Sequence, residues 1–448
     1  MKVFVIGLDG ATFKLITRLN LPNIHHLIEN GASGVMETCL PYYTTPAWKC
    51  YSTGLEPSRL GIYNFIKLQI DTDTNSVKTK LVNSRDFKAK EIWDYLTLHG
   101  LKSCVIDMPN TNPVKRINGI MVGHYLVGKN YVYPPEFKQV LNKLNYTDPE
   151  YWYLKGEEQL KVIEQKIQSR FDLFFHLLKT RPDIDFWHIT IFDIDSVQHS
   201  YWNNPDILYR FWQLIDKNIG KIVSTLNVLY GDDYILFLMS DHGFKSCKGT
   251  IYLNEFLIKA GLLKLKFNPT DAIRKFINKP IIYNFLKKTH LLNLLRHTVP
   301  DRVKEKVKIA STTILDQVDV NKSKAIFPGT DQLHIISDTD KVIEELQELP
   351  LDIYKTNEIY SHTDHNAPDL ILTSDFKLAP DLNTGTIIDI HANWEGIHDR
   401  DAIFIAYGSP IKHTQVKPKI YDLAPTILSL FNITPHPTDG RVLTEIFR

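Results

Sequence analysis

Residues 3–10 read Val-Phe-Val-Ile-Gly-Leu-Asp-Gly: six apolar or glycine residues with no polar alternation, then a carboxylate. A strand with one wet face alternates polar and apolar side chains. A run without alternation needs cover on both faces, as in a parallel sheet with helices above and below. Runs of the same kind recur at residues 103–106, 186–192, 234–239 and 402–406. Between them, at 24–29, 91–98, 157–178 and 208–229, apolar side chains return every three or four residues, so strand and helix alternate. The pattern predicts an α/β fold: a doubly wound, mostly parallel sheet with helices on both faces. Gly31, Gly100 and Gly261 each follow a helical run where a C-terminal cap belongs.

The rest of the 448-residue chain is consistent with this. With 52 Lys and Arg against 51 Asp and Glu, the net charge of +1 excludes whole-chain attraction to nucleic acid or anionic lipid. The first apolar run is too short for a secretory h-region, and no run approaches the roughly 18–20 residues of a membrane span, so a cytoplasmic protein is expected. Cys39, Cys50, Cys104 and Cys247 form no C-x-x-C pair; this suits a reducing compartment and leaves any metal to His and carboxylate. Two segments read as insertions. Residues 68–83 hold a polar, turn-rich stretch expected to form a hairpin or loop over the sheet. Residues 257–312 carry 13 Lys and Arg against three acids, cut by Pro269, Pro280 and Pro300 into short amphipathic helices. The expected organisation is an α/β core of 1–256 and 313–448 with 257–312 as an inserted basic helical cap. That cap is either a solvated cover or a surface for an anionic substrate, a partner, or peripheral contact with lipid headgroups.

In open α/β sheets ligands sit beyond the carboxyl ends of the strands. Three of the runs end in aspartate there: Asp9, then Asp193 and Asp195, then Asp241 followed by His242. One such residue is ordinarily a helix N-cap. Three brought together would repel one another without a compensating cation or proton, so their meeting would argue for metal. Asp195 and His199 are four apart, one helical turn, and His398 precedes another short strand, so the three suit one metal site. The run Ser361-His362-Thr363-Asp364-His365 lacks a preceding strand and reads as a solvated loop. In Thr44-Thr45-Pro46-Ala47-Trp48 the proline marks a helix start. The Thr44 hydroxyl and the helix N-terminus then face one point and favour an anion there, or the threonine is only a cap.

Together these motifs resemble the alkaline phosphatase superfamily, specifically its type I phosphodiesterase / nucleotide pyrophosphatase branch. The matching residues are Gly7-Leu8-Asp9-Gly10, Thr44-Thr45-Pro46-Ala47-Trp48, Thr53-Gly54-Leu55-x-Pro57-x-x-x-Gly61-Ile62, Asp195-x-x-x-His199, Ser240-Asp241-His242-Gly243 and Gly396-x-His398, in that order. The tail is similar as well, at Ile420-Tyr421-Asp422 and Asp439-Gly440-Arg441. The resemblance implies two divalent ions, most often zinc and sometimes manganese. Asp195, His199 and His398 would hold one and Asp9, Asp241 and His242 the other, with Thr44 between them as ligand and nucleophile. It also implies a phospho-threonine intermediate, with the Thr45 N–H and Asn64 contacting the phosphoryl group. Sulfatases of the superfamily have Cys or Ser at the position of Thr44 and an Arg four residues later, where this chain has Trp48.

The reading that follows is a two-metal phosphoesterase cleaving a phosphodiester or pyrophosphate bond of a small anionic substrate. Alternatives on the same scaffold are a phosphomutase or phosphotransferase, a phosphomonoesterase, and an inactive binding protein.

Overall fold

A computed structural model describes residues 1–124, 130–151, 153–266, 314–363, 367–382, 385–391 and 394–448. Its centre is a nine-stranded sheet in the order Thr414–Gln415, Ala32–Glu37, Asp401–Gly408, Tyr234–Met239, Lys2–Leu8, Phe186–Ile191, Ser103–Met108, Gly119–Gly123, Val132–Tyr133. The strands from Tyr234–Met239 to Gly119–Gly123 run parallel. Asp401–Gly408, expected among the parallel strands, is antiparallel to both neighbours, because the chain enters it from the site end of the sheet.

Pleating divides the side chains of each strand between two cores. Phe4, Ile6 and Leu8 join the helices Pro22–Asn30, Gly156–Thr180 and Pro205–Tyr230 on one face. Val3 and Val5 join Thr44–Thr53, Ile92–Leu98 and Leu423–Ser429 on the other. The unalternating runs are thus buried on both sides, as their sequence requires. Gly100 and Gly261 take the positive φ of a helix end. Gly31 does not: its φ is −123°, and a Cβ there would stand 2.2 Å from the Ala406 carbonyl oxygen, so close strand packing is what excludes a side chain.

A third hydrophobic core lies outside the large sheet. It is built on the antiparallel sheet Ala325–Gly329, Gln332–Ile335, Leu370–Thr373, Asp352–Lys355 and on the small sheet Lys377–Ala379, Thr250–Tyr252, Ile388–Asp389. The described residues of 314–379, expected within the α/β core, add their strands to these smaller sheets and the third core rather than to the central sheet; their short strands lack its long unalternating runs. The expected hairpin pairs Ile66–Asp71 with Ser76–Leu81 and contributes Leu68 and Val77 to the cap core. The boundary drawn at 257 falls inside the helix Leu253–Lys259, and Leu257, Leu262 and Leu263 are buried in the same core. The rest of the basic segment, 267–312, lies outside the described residues, as do residues 364–366 of the histidine-rich loop; Ser361, His362 and Thr363 are exposed. No described helix is long and apolar enough to cross a membrane.

The helix Thr44–Thr53 is fixed to the core by buried charge. Lys49 donates to Glu91 at 2.7 Å, both side chains being almost fully buried, and Lys115 reaches the other Glu91 oxygen at 2.6 Å. Burial would raise the Glu91 carboxyl, but Lys115 and Lys49 outweigh it and hold the group at about 2, against an ordinary 4.5. The pair therefore stabilises the fold fully above pH 4.5, and its contribution fades as the pH falls toward 2. Glu91→Gln leaves the Lys49 ammonium buried without its counter-charge and is expected to cost about 3 kcal/mol at pH 7. Urea unfolding checks this: the gap between wild type and variant should be widest at pH 7 and narrower at pH 3.

Candidate active site

Strand order decides which side chains meet. Tyr234–Met239, Lys2–Leu8 and Phe186–Ile191 are adjacent and point the same way, so Asp241, Asp9 and Asp195 emerge together at their carboxyl edge. Asp195 lies in the first turn of the helix Asp193–Tyr201, with His199 one turn on; His199 Nε2 is 3.5 Å from Asp195 Oδ2. Beyond His242 the chain continues as Gly243–Ser246, which pairs antiparallel with Gly396–Asp399 and sets His398 opposite Phe244. This pairing stacks the His398 and His242 rings with centroids 3.6 Å apart. His398 Nε2 is 3.2 Å from Asp195 Oδ1 and 3.0 Å from His199 Nε2. His242 Nε2 is 3.2 Å from Asp241 Oδ2 and 3.5 Å from Asp9 Oδ1.

Each imidazole is oriented by a backbone carbonyl at its Nδ1: Gly396 for His199 at 2.8 Å, Tyr42 for His398 at 2.7 Å and Gly243 for His242 at 3.1 Å. A carbonyl only accepts, so Nδ1 carries a proton and Nε2 is turned into the cluster. The Nε2 atoms of His199 and His398 face each other at hydrogen-bond distance, and although burial would lower the His398 imidazole, Asp195 keeps it raised. Asp9 Oδ1, Asp195 Oδ1, Asp241 Oδ2 and His242 Nε2 are buried without a hydrogen bond. The second oxygens are engaged: Trp48 donates to Asp9 at 2.9 Å and the Gly10 N–H to Asp241 at 3.2 Å.

Electrostatics agree with the geometry. Burial, then the charges of Asp241 and Asp195, push the Asp9 carboxyl well up, and burial brings Asp241 to about 7. Burial pulls His242 well down and His199 to about 4. Asp195 goes the other way: burial would raise it, but the imidazoles of His199 and His398 hold it low. A cluster of carboxylate oxygens and imidazole nitrogens, largely buried and short of positive charge, fits divalent ions with N and O ligands. Two groups have mutually close ligand atoms, Asp9 with Asp241 and His242, and Asp195 with His398 and His242. The resemblance gave His242 to the first alone; its Nε2 here faces both, and His199 adjoins the second through Asp195 and His398.

Thr44 opens the helix Thr44–Thr53, whose N-cap is Tyr43, so the threonine is not a cap. The first intrahelical bond runs from the Ala47 N–H to the Tyr43 carbonyl, placing the Thr44 and Thr45 N–H groups at the positive end of the helix. Trp48, one turn on, holds Asp9, while Tyr42 holds His398, so this helix start is tied to both ligand groups. Thr44, Asp195, His199 and His398 line one cavity of about 650 Å³ beneath the cap. The Thr45 side chain is fully buried, leaving only its backbone for a ligand. Asn64 does not line the cavity: its amide donates to Thr330 of the cap and accepts from the Phe65 N–H at 2.5 Å, making it a strut between core and cap. Sequence reasoning missed Asp331, Lys377 and Trp394 in the cavity wall, because the short cap strands and turns that carry them have no distinctive pattern.

A nine-stranded, mostly parallel sheet with helices on both faces is an alkaline phosphatase-like fold. By sequence the chain belongs to the type I phosphodiesterase / nucleotide pyrophosphatase family, which it matches over residues 3–380. Similar solved structures include human ectonucleotide pyrophosphatase / phosphodiesterase 5, at 16% identity and a TM-score of 0.61. The murine protein is similar at 15% identity and 0.59, and its inactive T72A form in complex with AMP at 15% and 0.60. All of this chain and all of each neighbour are covered. No curated protein matches by sequence.

If the cluster holds two ions, dialysed wild type should retain about two zinc equivalents per chain, and Asp9→Asn and His398→Ala about one each. Elemental analysis reads this; unchanged content in both variants would sink the assignment.

Proposed function

We propose that this protein hydrolyses phosphodiester or pyrophosphate bonds of nucleotide-like substrates, with Thr44 as nucleophile. The observation that carries the reading is the meeting of six carboxylate and imidazole ligands with a threonine hydroxyl at a helix N-terminus. When bound, two zinc or manganese ions would lower the threonine pKa and neutralise phosphoryl oxygens in the transition state. Asp195, His199 and His398 would hold one, and Asp9, Asp241 and His242 the other.

The chain's own groups account for the remaining steps. Trp48 and Tyr42 fix the helix start against the ligands, so that the Thr44 Oγ attacks phosphorus in line and the bond to the leaving oxygen breaks. The Thr45 N–H holds one non-bridging oxygen. Water then cleaves the phospho-threonine ester and releases Thr44. Around the leaving group the cavity offers the rings of Tyr43, Phe65, Phe192, Phe376 and Trp394, apolar faces on which a nucleobase stacks. The AMP held by the murine neighbour is consistent with such a group. The four cysteines are free, which fits a reducing, cytoplasmic setting.

Thr44→Ala is expected to lower turnover about 10³-fold or more with metal content unchanged, and Thr45→Ala to have a mild effect because its N–H remains. Assays use bis-p-nitrophenyl phosphate, p-nitrophenyl phosphate and thymidine 5′-p-nitrophenyl phosphate. Equal loss in the two variants, or hydrolysis of the monoester alone, would refute the reading.

A further inference from the structure

Lys377 is the only Lys or Arg among the described residues lining the cavity. Its backbone is fixed: it opens the strand Lys377–Ala379 and its N–H donates to the Gly249 carbonyl at 2.9 Å. Its ammonium lies 3.3 Å from the centre of the Trp394 ring, and that ring packs edge-on to His199 with centroids 4.5 Å apart. One aromatic ring therefore separates the cation from a metal-ligand histidine.

Nearby lysines are paired with carboxylates: Lys245 and Lys248 both reach Asp375, at 2.9 and 2.7 Å. Lys377 makes no ion pair among the described residues. Burial pulls its pKa to about 8, so the ammonium still prevails at neutral pH but is poorly hydrated, a state that a ligand anion relieves. The aromatic face holds the ammonium in place without neutralising it.

We propose that Lys377 forms a second-anion subsite, so that the pocket favours substrates with a further negative charge next to the scissile phosphoryl group, pyrophosphate compounds over singly charged diesters. The inference rests on the phosphodiesterase reading and deepens it by naming the substrate class. Asp381 is the carboxylate that acts on Lys377, working against the burial without making an ion pair with it among the described residues; Asp331 lies toward Tyr43, His398 and Lys245 instead.

The test measures binding of inorganic phosphate and inorganic pyrophosphate to the zinc-loaded protein by calorimetry, in wild type, Lys377→Met and Lys377→Arg. Wild type should bind pyrophosphate about tenfold or more tighter than phosphate, the effect of one charge-assisted hydrogen bond. Methionine keeps the packing on Trp394 and should erase that preference, whereas arginine should keep it; Lys377→Gln replaces the methionine variant if that one fails to fold. A preference that survives in the neutral variant belongs to the metal ligands and overturns the subsite, as does its absence in wild type. In parallel, kcat/KM for a nucleoside triphosphate should fall about 10- to 100-fold in Lys377→Met, with thymidine 5′-p-nitrophenyl phosphate changed less than about twofold. Equal losses on both substrates overturn the subsite. If wild type cleaves neither diesters nor pyrophosphates, the functional reading falls, and the binding comparison still decides the role of Lys377.

Discussion

Three carboxylates, Asp9, Asp195 and Asp241, are buried together at the ends of adjacent strands, and much of the surrounding structure compensates for this. Isolated buried charge costs several kcal/mol, and like charges in contact add to it. The protein does not separate them. It engages one oxygen of Asp9 and one of Asp241 with the Trp48 and Gly10 N–H groups and leaves the others turned inward among the imidazoles. The histidines are oriented from behind by carbonyls, so that their Nε2 atoms face the same point. Such an arrangement is relieved by added positive charge, and the raised Asp9 and Asp241 carboxyls show the strain it carries without it.

The same constraint shapes the backbone. A Cβ at Gly7 would fall 2.3 Å from Trp48 Cη2, so the absence of a side chain there lets the indole lie on the strand and reach Asp9. Gly10 has φ +69°, and a Cβ would stand 2.8 to 2.9 Å from Phe244 and Gln198, the residues that carry the chain toward His398 and His199. The two glycines flanking Leu8-Asp9 serve site geometry more than strand formation. The helix Thr44–Thr53 is held at its start by the cluster and along its length by Lys49, so the position of Thr44 is set from two sides.

Chemistry and selectivity come from different bodies. The ligands belong to the central sheet and its immediate extensions, whereas much of the cavity wall belongs to a cap with its own hydrophobic core. A cap anchored in this way can change its lining residues without disturbing the ligand cluster. Lys377 and Trp394 illustrate this: both belong to the wall, yet they stand one ring away from His199.

Much of the fold was legible in the chain because burial on both faces leaves a direct trace: the runs at 3–8, 103–106, 186–192 and 234–239 are the central strands. That Asp9, Asp195 and Asp241 could meet was legible as well, because residues leaving parallel strands at one edge have few places to go; Thr44 was joined to them only by the resemblance of its motif, since locally it reads equally as a helix cap. Tertiary structure alone decided the rest. Strand order determined that the three aspartates are neighbours, a relation between segments more than 180 residues apart that no local pattern carries. The antiparallel run of Asp401–Gly408 and the separate cap were hidden because strand direction and sheet membership depend on long-range pairing, not on local composition. Asn64 became a strut for the same reason: its amide is satisfied by Thr330, a cap residue distant in sequence that only folding brings beside it.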